Sequence, residues 1–216
     1  MSKIQVVVID DHMVVRVGMR SIIERDQRFS MVGEGESLTR GLEVIEEKRP
    51  DVVLLDFRLP DGDGVIGTKR IKSRFPETKI LILTAHQNKE TVMEVLKAGA
   101  DGYILKSIES KKILEALVKT YEGEGYLDAS IAGVLVGEIQ GKECKTLSEK
   151  VDLTPREETV MNLLCMGKSN KEIAAEMEIA EKTVRNYLTK IMEKLNVQNR
   201  TEAALFWTRT KLNNYD

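Results

Sequence analysis

The stretch Val52-Val53-Leu54-Leu55-Asp56 restricts the possible folds of this chain more than any other. Four consecutive apolar residues read as a strand buried on both faces, the pattern of a central strand in a parallel sheet. The loop that follows at once, Phe57-Arg58-Leu59-Pro60-Asp61-Gly62-Asp63-Gly64, carries the proline and glycines that end such a strand. Asp56 therefore belongs at the carboxyl end of the strand, where open α/β sheets bind their ligands. A lone ionised carboxylate has little reason to sit there. Asp10 and Asp11 supply one, because they end a second apolar run, Ile4–Ile9. Three carboxylates at neighbouring strand ends repel one another unless a hard cation lies among them. Oxygen donors with high local charge suit Mg²⁺, or Mn²⁺ in its place.

Around that strand, residues 1–122 alternate strand and helix patterns. Apolar runs at Ile4–Ile9, Met31–Gly33, Val52–Leu55, Lys79–Leu83 and Gly102–Leu105 are separated by stretches with helical spacing, such as Val15, Met19, Ile22 and Ile23. Strand–helix units in series predict an α/β fold with a five-stranded doubly wound parallel sheet. They are too few for an eight-stranded barrel. In that topology Asp10, Asp11, Asp56, Thr84 and Lys106 all fall on one edge of the sheet. A metal ion, a carboxylate, a hydroxyl and an ammonium around one pocket suit a transferable phosphoryl group. Asp56 is then the nucleophile that takes it as an acyl phosphate. The metal and Lys106 offset charge on its oxygens, and Thr84 donates to a third.

Each of these residues has a plainer reading taken singly. Asp10-Asp11 can begin a helix as an N-cap, and so can Thr84. Tyr103 can be packing, and Lys106 a solvated loop lysine. Asp61 and Asp63 are assigned to turn chemistry. His12 and His86 lack a third convergent ligand, so His12 is read as supporting the acidic pair rather than as a metal ligand. The joint occurrence of polar residues at the correct strand ends favours the pocket.

Between residues 123 and 152 the periodicity lapses under repeated glycines, leaving a linker in which Ala129–Ile139 can form a helix. From residue 153 the pattern is helical only. Thr154-Pro155-Arg156-Glu157 and Ser169-Asn170-Lys171-Glu172 are capping boxes, and Asn199-Arg200-Thr201-Glu202 is a third. Four short helices, the middle two joined by a tight turn at Glu178-Ile179-Ala180, predict an all-α helix-turn-helix domain over 153–216. Its third helix buries Val184, Leu188, Ile191 and Leu195. The opposite side carries Lys182, Thr183, Arg185, Asn186, Thr189, Lys190 and Lys194. Arg suits guanine and Asn adenine in the major groove, while Lys and Thr suit phosphates. A merely solvated polar face is the competing reading. The net charge of −2 makes a local basic surface necessary for a nucleic-acid role. Phe206 and Trp207 are too large for full exposure and are assigned to core packing, with a dimer contact as the alternative.

No apolar run approaches the ~20 residues that span a bilayer, and Met1-Ser2-Lys3 leads directly into a strand without a signal peptide. Cys144 and Cys165 form no metal spacing and are read as reduced thiols. A cytoplasmic protein without a membrane partner is expected.

The first part resembles the receiver domain of bacterial two-component response regulators. The resemblance is carried by Asp10-Asp11, Asp56 with Leu59-Pro60 and Asp63-Gly64, Thr84, Ala98-Gly99-Ala100, Tyr103 and Lys106. It implies a CheY-like fold, phosphate transfer to Asp56 from a sensor histidine kinase, and Mg²⁺ held by Asp10, Asp11, Asp56 and the Arg58 carbonyl. It also implies a switch in which the Thr84 hydroxyl moves to the phosphoryl group and the Tyr103 ring turns inward. Ser107 follows Lys106 where many receivers have proline, so a cis bond there is costlier.

The last part resembles the LuxR-type helix-turn-helix of the NarL/FixJ response regulators. Here the matching residues include Leu153-Thr154-Pro155-Arg156-Glu157, Lys182-Thr183-Val184-Arg185 and Lys194-Leu195-Asn196-Val197. Base contacts from Lys182, Arg185 and Asn186 are implied, with Thr183 and Lys190 on phosphate. Ala180 replaces a common capping Ser and Tyr187 a common His, and Ala180–Tyr187 is similar to the dormancy-regulator subgroup. Together the two likenesses imply a dimeric regulator, not an enzyme, that binds double-stranded DNA, with RNA polymerase a further candidate partner. A phosphate-ester hydrolase built on Asp56 would want a second Asp at the place of Arg58. An adaptor binding protein rather than DNA is the other rival.

Overall fold

The computed structural model describes residues 3–85, 89–128 and 153–213. The chain divides into two compact units, Met1–Ile131 and Ala132–Asp216. The helix expected over Ala129–Ile139 lies outside the described residues, as do Cys144 and His86.

In the first unit β1 (Ile4–Ile9), β2 (Phe29–Gly35), β3 (Val52–Asp56), β6 (Lys79–Thr84) and β7 (Gly102–Leu105) form a parallel sheet with a sixth strand, β8 (Tyr126–Leu127). Their order is β2-β1-β3-β6-β7-β8. The helices are α1 (Met13–Glu24), α2 (Leu38–Lys48), α3 (Gly64–Arg74), α4 (Lys89–Lys97) and α5 (Ser110–Tyr121). Five-strandedness is thus corrected to six, and β8 falls within the stretch read as linker. Two residues bounded by Gly123, Gly125 and polar neighbours carry no alternation to announce a strand. β2 also extends further than Met31–Gly33, taking in Phe29 and the polar Ser30 and Glu34.

β3 is buried at every residue, which is what its run of apolar side chains demands. Val6, Val8, Leu54 and Ile104 face a core shared with Met19 and Ile23 of α1 and Ile113 and Leu117 of α5. The intervening residues face the other layer. A Cβ on Gly41 of α2 would meet Ile9 at 2.3 Å, and one on Gly67 of α3 would meet Leu55 at 2.9 Å. The chain reverses direction across the sheet between β1 and β3. Their carboxyl ends therefore flank the crevice where doubly wound sheets bind ligands.

The second unit packs α6 (Pro155–Cys165), α7 (Asn170–Glu176), α8 (Glu181–Leu195) and α9 (Arg200–Asn213) around Val160, Met161, Ile173, Val184, Leu188 and Ile191. Both capping boxes close reciprocally, Thr154 with Glu157 and Ser169 with Glu172. Asn199 caps α9 through the Glu202 amide, while Glu202 reaches back to the Gln198 amide. Trp207 is buried, and its Nε1 donates to Asn162 Oδ1 at 3.0 Å. Among the described residues no helix is long and apolar enough to cross a membrane.

Candidate functional site

Asp10 follows β1, Asp56 ends β3, Thr84 ends β6 and Lys106 follows β7. Register alone brings them together, since Asp56 lies opposite Leu83 and the Lys106 amide donates to the Thr84 carbonyl at 2.6 Å. Lys106 Nζ stands 2.8 Å from Asp10 Oδ2 and 2.9 Å from Asp56 Oδ2, bridging two buried carboxylates. Asp11 is more exposed, at 40% of its side chain, and lies on the rim.

One ligand atom from each of Asp10, Asp11, His12 and Asp56 fits within a group 4.8 Å across. Asp10 is fully buried, and among the described residues its Oδ2 has the Lys106 ammonium as partner, shared with Asp56. Three carboxylates around one ammonium leave negative charge that a further cation would offset. The donor set is oxygen-rich and doubly lined with charge, so the residues fit a hard divalent cation. Asp10 Oδ1 meanwhile accepts the His12 amide at 2.8 Å, and His12 is the N-cap of α1. Helix-start chemistry and pocket chemistry are therefore divided between the two oxygens of one carboxylate. His12 Nδ1 sits 2.6 Å from Asp11 Oδ1 and 3.2 Å from Asp10 Oδ1, beside the acidic pair as expected.

Burial pushes the Asp56 carboxyl above the usual range and the neighbouring Asp10 charge adds to it, outweighing Lys106. Burial works against the Lys106 charge, but its bonds to Asp10 and Asp56 hold its pKa above the ordinary lysine value. The Arg58 amide also donates to Asp56. Arg58 opens the hairpin of β4 (Arg58–Leu59) and β5 (Gly62–Asp63), and the Gly64 amide closes the loop on the Phe57 carbonyl at 2.7 Å. A Cβ on Gly64 would lie 2.7 Å from the Phe57 ring, so only glycine fits.

Tyr103 is fully buried and hydrogen-bonded to Thr84, so its ring is turned inward. Among the described residues no peptide bond is cis, that between Lys106 and Ser107 included. One residue, Arg16, escaped the sequence reading, and Asp61, assigned there to turn chemistry, caps a distant helix instead. Arg16 Nη1 donates to the Asp10 and Asp11 carbonyls at 2.7 and 3.2 Å and so holds the acidic loop in place. Asp61 accepts from the Leu38 and Thr39 amides and the Thr39 hydroxyl, capping α2 from a different loop. Asp63 does what turn chemistry leads one to expect, capping α3 through the Ile66 amide. Arg16, four residues into a helix, gave no signal in the sequence.

In the second unit α8 presents Lys182, Arg185, Asn186, Thr189 and Lys190 exposed, with Thr183 half-buried. Arg185 Nη2 is bonded to Glu181 one turn earlier. The Thr189 hydroxyl donates to the Arg185 carbonyl at 3.1 Å, which occupies the proton it would offer a phosphate. Lys194 does not belong to this face. Its Nζ donates to the buried Glu157 carboxylate at 2.7 Å, tying α8 to the capping box of α6. No side chain caps α8 at Ala180.

The model of the response regulator receiver domain matches residues 6–118, and that of the bacterial regulatory proteins of the luxR family matches 151–207. The DNA-binding transcriptional activator DevR/DosR of Mycobacterium tuberculosis is 37% identical over 212 residues, covering 96% of this chain and 95% of its own. Among solved structures, the RcsB response regulator of Salmonella typhimurium is 26% identical with a TM-score of 0.60, over 96% of this chain and 99% of its own. A structure of two RcsB dimers bound to two parallel DNAs is 26% identical with a TM-score of 0.58 over the same shares.

Proposed function

The chain belongs to the NarL/FixJ response regulators, which join a receiver domain to a LuxR-type helix-turn-helix, and on that premise we propose that phosphorylation of Asp56 switches its binding to DNA as a dimer. Membership makes it a DNA-binding transcription regulator of a two-component system rather than an enzyme. The receiver domain implies a kinase partner. In the transfer, an Asp56 oxygen attacks the phosphorus of a kinase phosphohistidine, the P–N bond breaks, and the imidazole leaves with its electron pair. Asp10, Asp11, Asp56 and the Arg58 carbonyl would hold Mg²⁺, which when bound neutralises charge on the phosphoryl oxygens. Lys106 pairs with a phosphoryl oxygen, and Thr84 donates to another.

The observation that carries this reading is the Lys106 ammonium between two buried carboxylates at 2.8 and 2.9 Å. An ammonium so placed is already aligned with the charge that transfer develops. Phosphorylation adds about −1.5 to −2 charge there. Thr84 then leaves Tyr103 for the phosphoryl group, which biases the equilibrium that governs exposure of α8. Lys182, Arg185 and Asn186 contact bases, and Thr183 and Lys190 contact phosphate. Thr189 joins them only by giving up its bond to Arg185. Two copies would read half-sites about 34–36 Å apart, as the dimers of RcsB on DNA encourage one to expect. RNA polymerase is proposed as the downstream partner.

Asp56→Ala is expected to abolish labelling by radioactive acetyl phosphate with Mg²⁺. Undiminished labelling removes Asp56 from the role.

A further inference from the structure

The sheet of the first unit does not stop at β7. Tyr126–Leu127 adds to it in parallel, with Gly102 opposite Tyr126 and Tyr103 opposite Leu127. The Asp128 amide then donates to the Tyr103 carbonyl at 3.3 Å. This attachment is held from several sides. Tyr126 packs against the core that includes Ile113 and Leu117. The Lys119 ammonium lies 5.7 Å from the centroid of its ring, within cation–π reach. Gly102 is what allows the approach, because a Cβ there would stand 3.0 Å from the Tyr126 carbonyl oxygen and 2.8 Å from Leu81 Cδ1. Tyr103 therefore has two attachments. Its side chain is buried and bonded to Thr84, beside the phosphoacceptor. Its backbone is bonded to the first residues of the stretch that leads, in sequence, to the DNA-reading unit.

We infer that Tyr126–Asp128 is a positioning element for the switch: by pairing with the backbone of Tyr103 it passes the setting of that residue on to the linker. The inference rests on the reading above, in which Thr84 and Tyr103 answer to phosphorylated Asp56. A two-residue edge strand is suited to this task. It is the shortest strand of the sheet and lies at its edge, so its pairing can be made or lost while the five longer strands stay intact. Local opening of that kind is how the weakest parts of a fold respond to ligands. Contiguity is not coupling, so the measurement has to be one of coupling.

Asp128→Pro deletes the amide donor and keeps a backbone that the end of an edge strand accepts. Asp128→Ala keeps the amide and removes only the carboxylate. Full-length wild-type, Asp128→Pro and Asp128→Ala chains would be phosphorylated with acetyl phosphate and Mg²⁺. Their affinity for one duplex, selected from a random pool with the wild-type chain, would be measured before and after. All three should label equally. Wild type and Asp128→Ala should gain affinity on phosphorylation, and in Asp128→Pro that gain should fall at least about fivefold, the lower end of ordinary coupling. A full gain in Asp128→Pro overturns the inference, as does an equal loss in Asp128→Ala or a loss of labelling in Asp128→Pro alone. A wild-type chain that labels without any gain overturns the reading above along with it. If Asp128→Pro does not fold, hydrogen exchange at the Asp128 amide of the wild type decides. Its protection should change at least about fivefold on phosphorylation, and unchanged protection overturns the inference.

Discussion

Lys106 and Lys182 are both ammonium groups proposed to meet a ligand, one a phosphoryl oxygen and the other a base, and the molecule holds them in opposite ways. Lys106 is wedged between Asp10 and Asp56, both buried, on strands whose register fixes every distance. Lys182 is exposed on α8 and pairs with no carboxylate among the described residues. The pocket is built before its partner arrives, so its chemistry can be read from distances within one chain. The helix face becomes a site only on a duplex, where displaced counterions and bases supply the other half of the geometry. Preorganised and partner-organised sites should accordingly fail differently when a charge is removed.

The sharpest contrast is expected on α8. Lys182→Ala and Arg185→Ala should each weaken binding to the selected duplex by about 1–3 kcal/mol, or roughly five- to 150-fold. Labelling of Asp56 should stay intact. If the same loss appears on an unrelated duplex, these side chains serve phosphates and not bases. Titration of the affinity against salt with each variant distinguishes the two, since a lost phosphate contact lowers the slope by about 1.

The pocket and the helical unit should also answer acid with opposite signs. Glu157 is held below the usual carboxylate range first by its bond to Lys194 and further by the Thr154 amide and hydroxyl. Its stabilisation is complete above the ordinary Glu value of about 4.3 and is lost as pH falls through the lower folded value. Asp56 is raised, chiefly by burial. The folded state therefore holds that proton more tightly than the unfolded chain. Its contribution is greatest below about 3.9 and is lost as pH rises through the raised value. Glu157→Gln should flatten the acid limb of the second unit, at a cost of about 1 kcal/mol near neutrality, allowing for the partial exposure of Lys194. Trp207 is the only tryptophan in the chain and reports this melt by fluorescence. Asp56→Asn, melted with a chelator present, should instead stabilise the first unit as pH rises above the ordinary Asp value of about 3.9. Equal signs for the two variants would break the comparison.

What the sequence disclosed follows the same division. The strand ends were legible because a buried parallel strand is an unbroken apolar run, and the residue that ends it must be polar for a reason. Asp10, Asp56, Thr84 and Lys106 were found in that way, and the structure brings all of them to one edge. The apolar stripe of α8 was legible from its spacing, and Val184, Leu188, Ile191 and Leu195 are all buried. Contacts that join distant segments were not legible. Lys194 looked like part of a basic face because its partner Glu157 lies 37 residues away in sequence. Asp61 looked like a turn residue because the helix it caps precedes it by more than twenty residues. β8 is two residues long, too short for any periodicity.

The smallest expected effect lies at Glu181, and it tests whether the reading face has any preorganisation of its own. Glu181 accepts from Arg185 one turn later, with both side chains about half exposed. Such i,i+4 pairs contribute only about 0.3–0.5 kcal/mol, so Glu181→Gln should leave the melt of the second unit unchanged within error. It removes a carboxylate from the end of α8 proposed to approach the duplex and releases the Arg185 fork. Affinity for an unrelated duplex should therefore rise about twofold, the factor by which so weak a pair can restrain its arginine. Discrimination between the selected and the unrelated duplex should shrink by the same factor. Removing a charge from the pocket is expected to abolish labelling, whereas here it should make binding easier and less selective. A tenfold loss of selected binding in Glu181→Gln would mean that the pair meets the bases as one unit, and that part of α8 is as fixed in advance as Lys106.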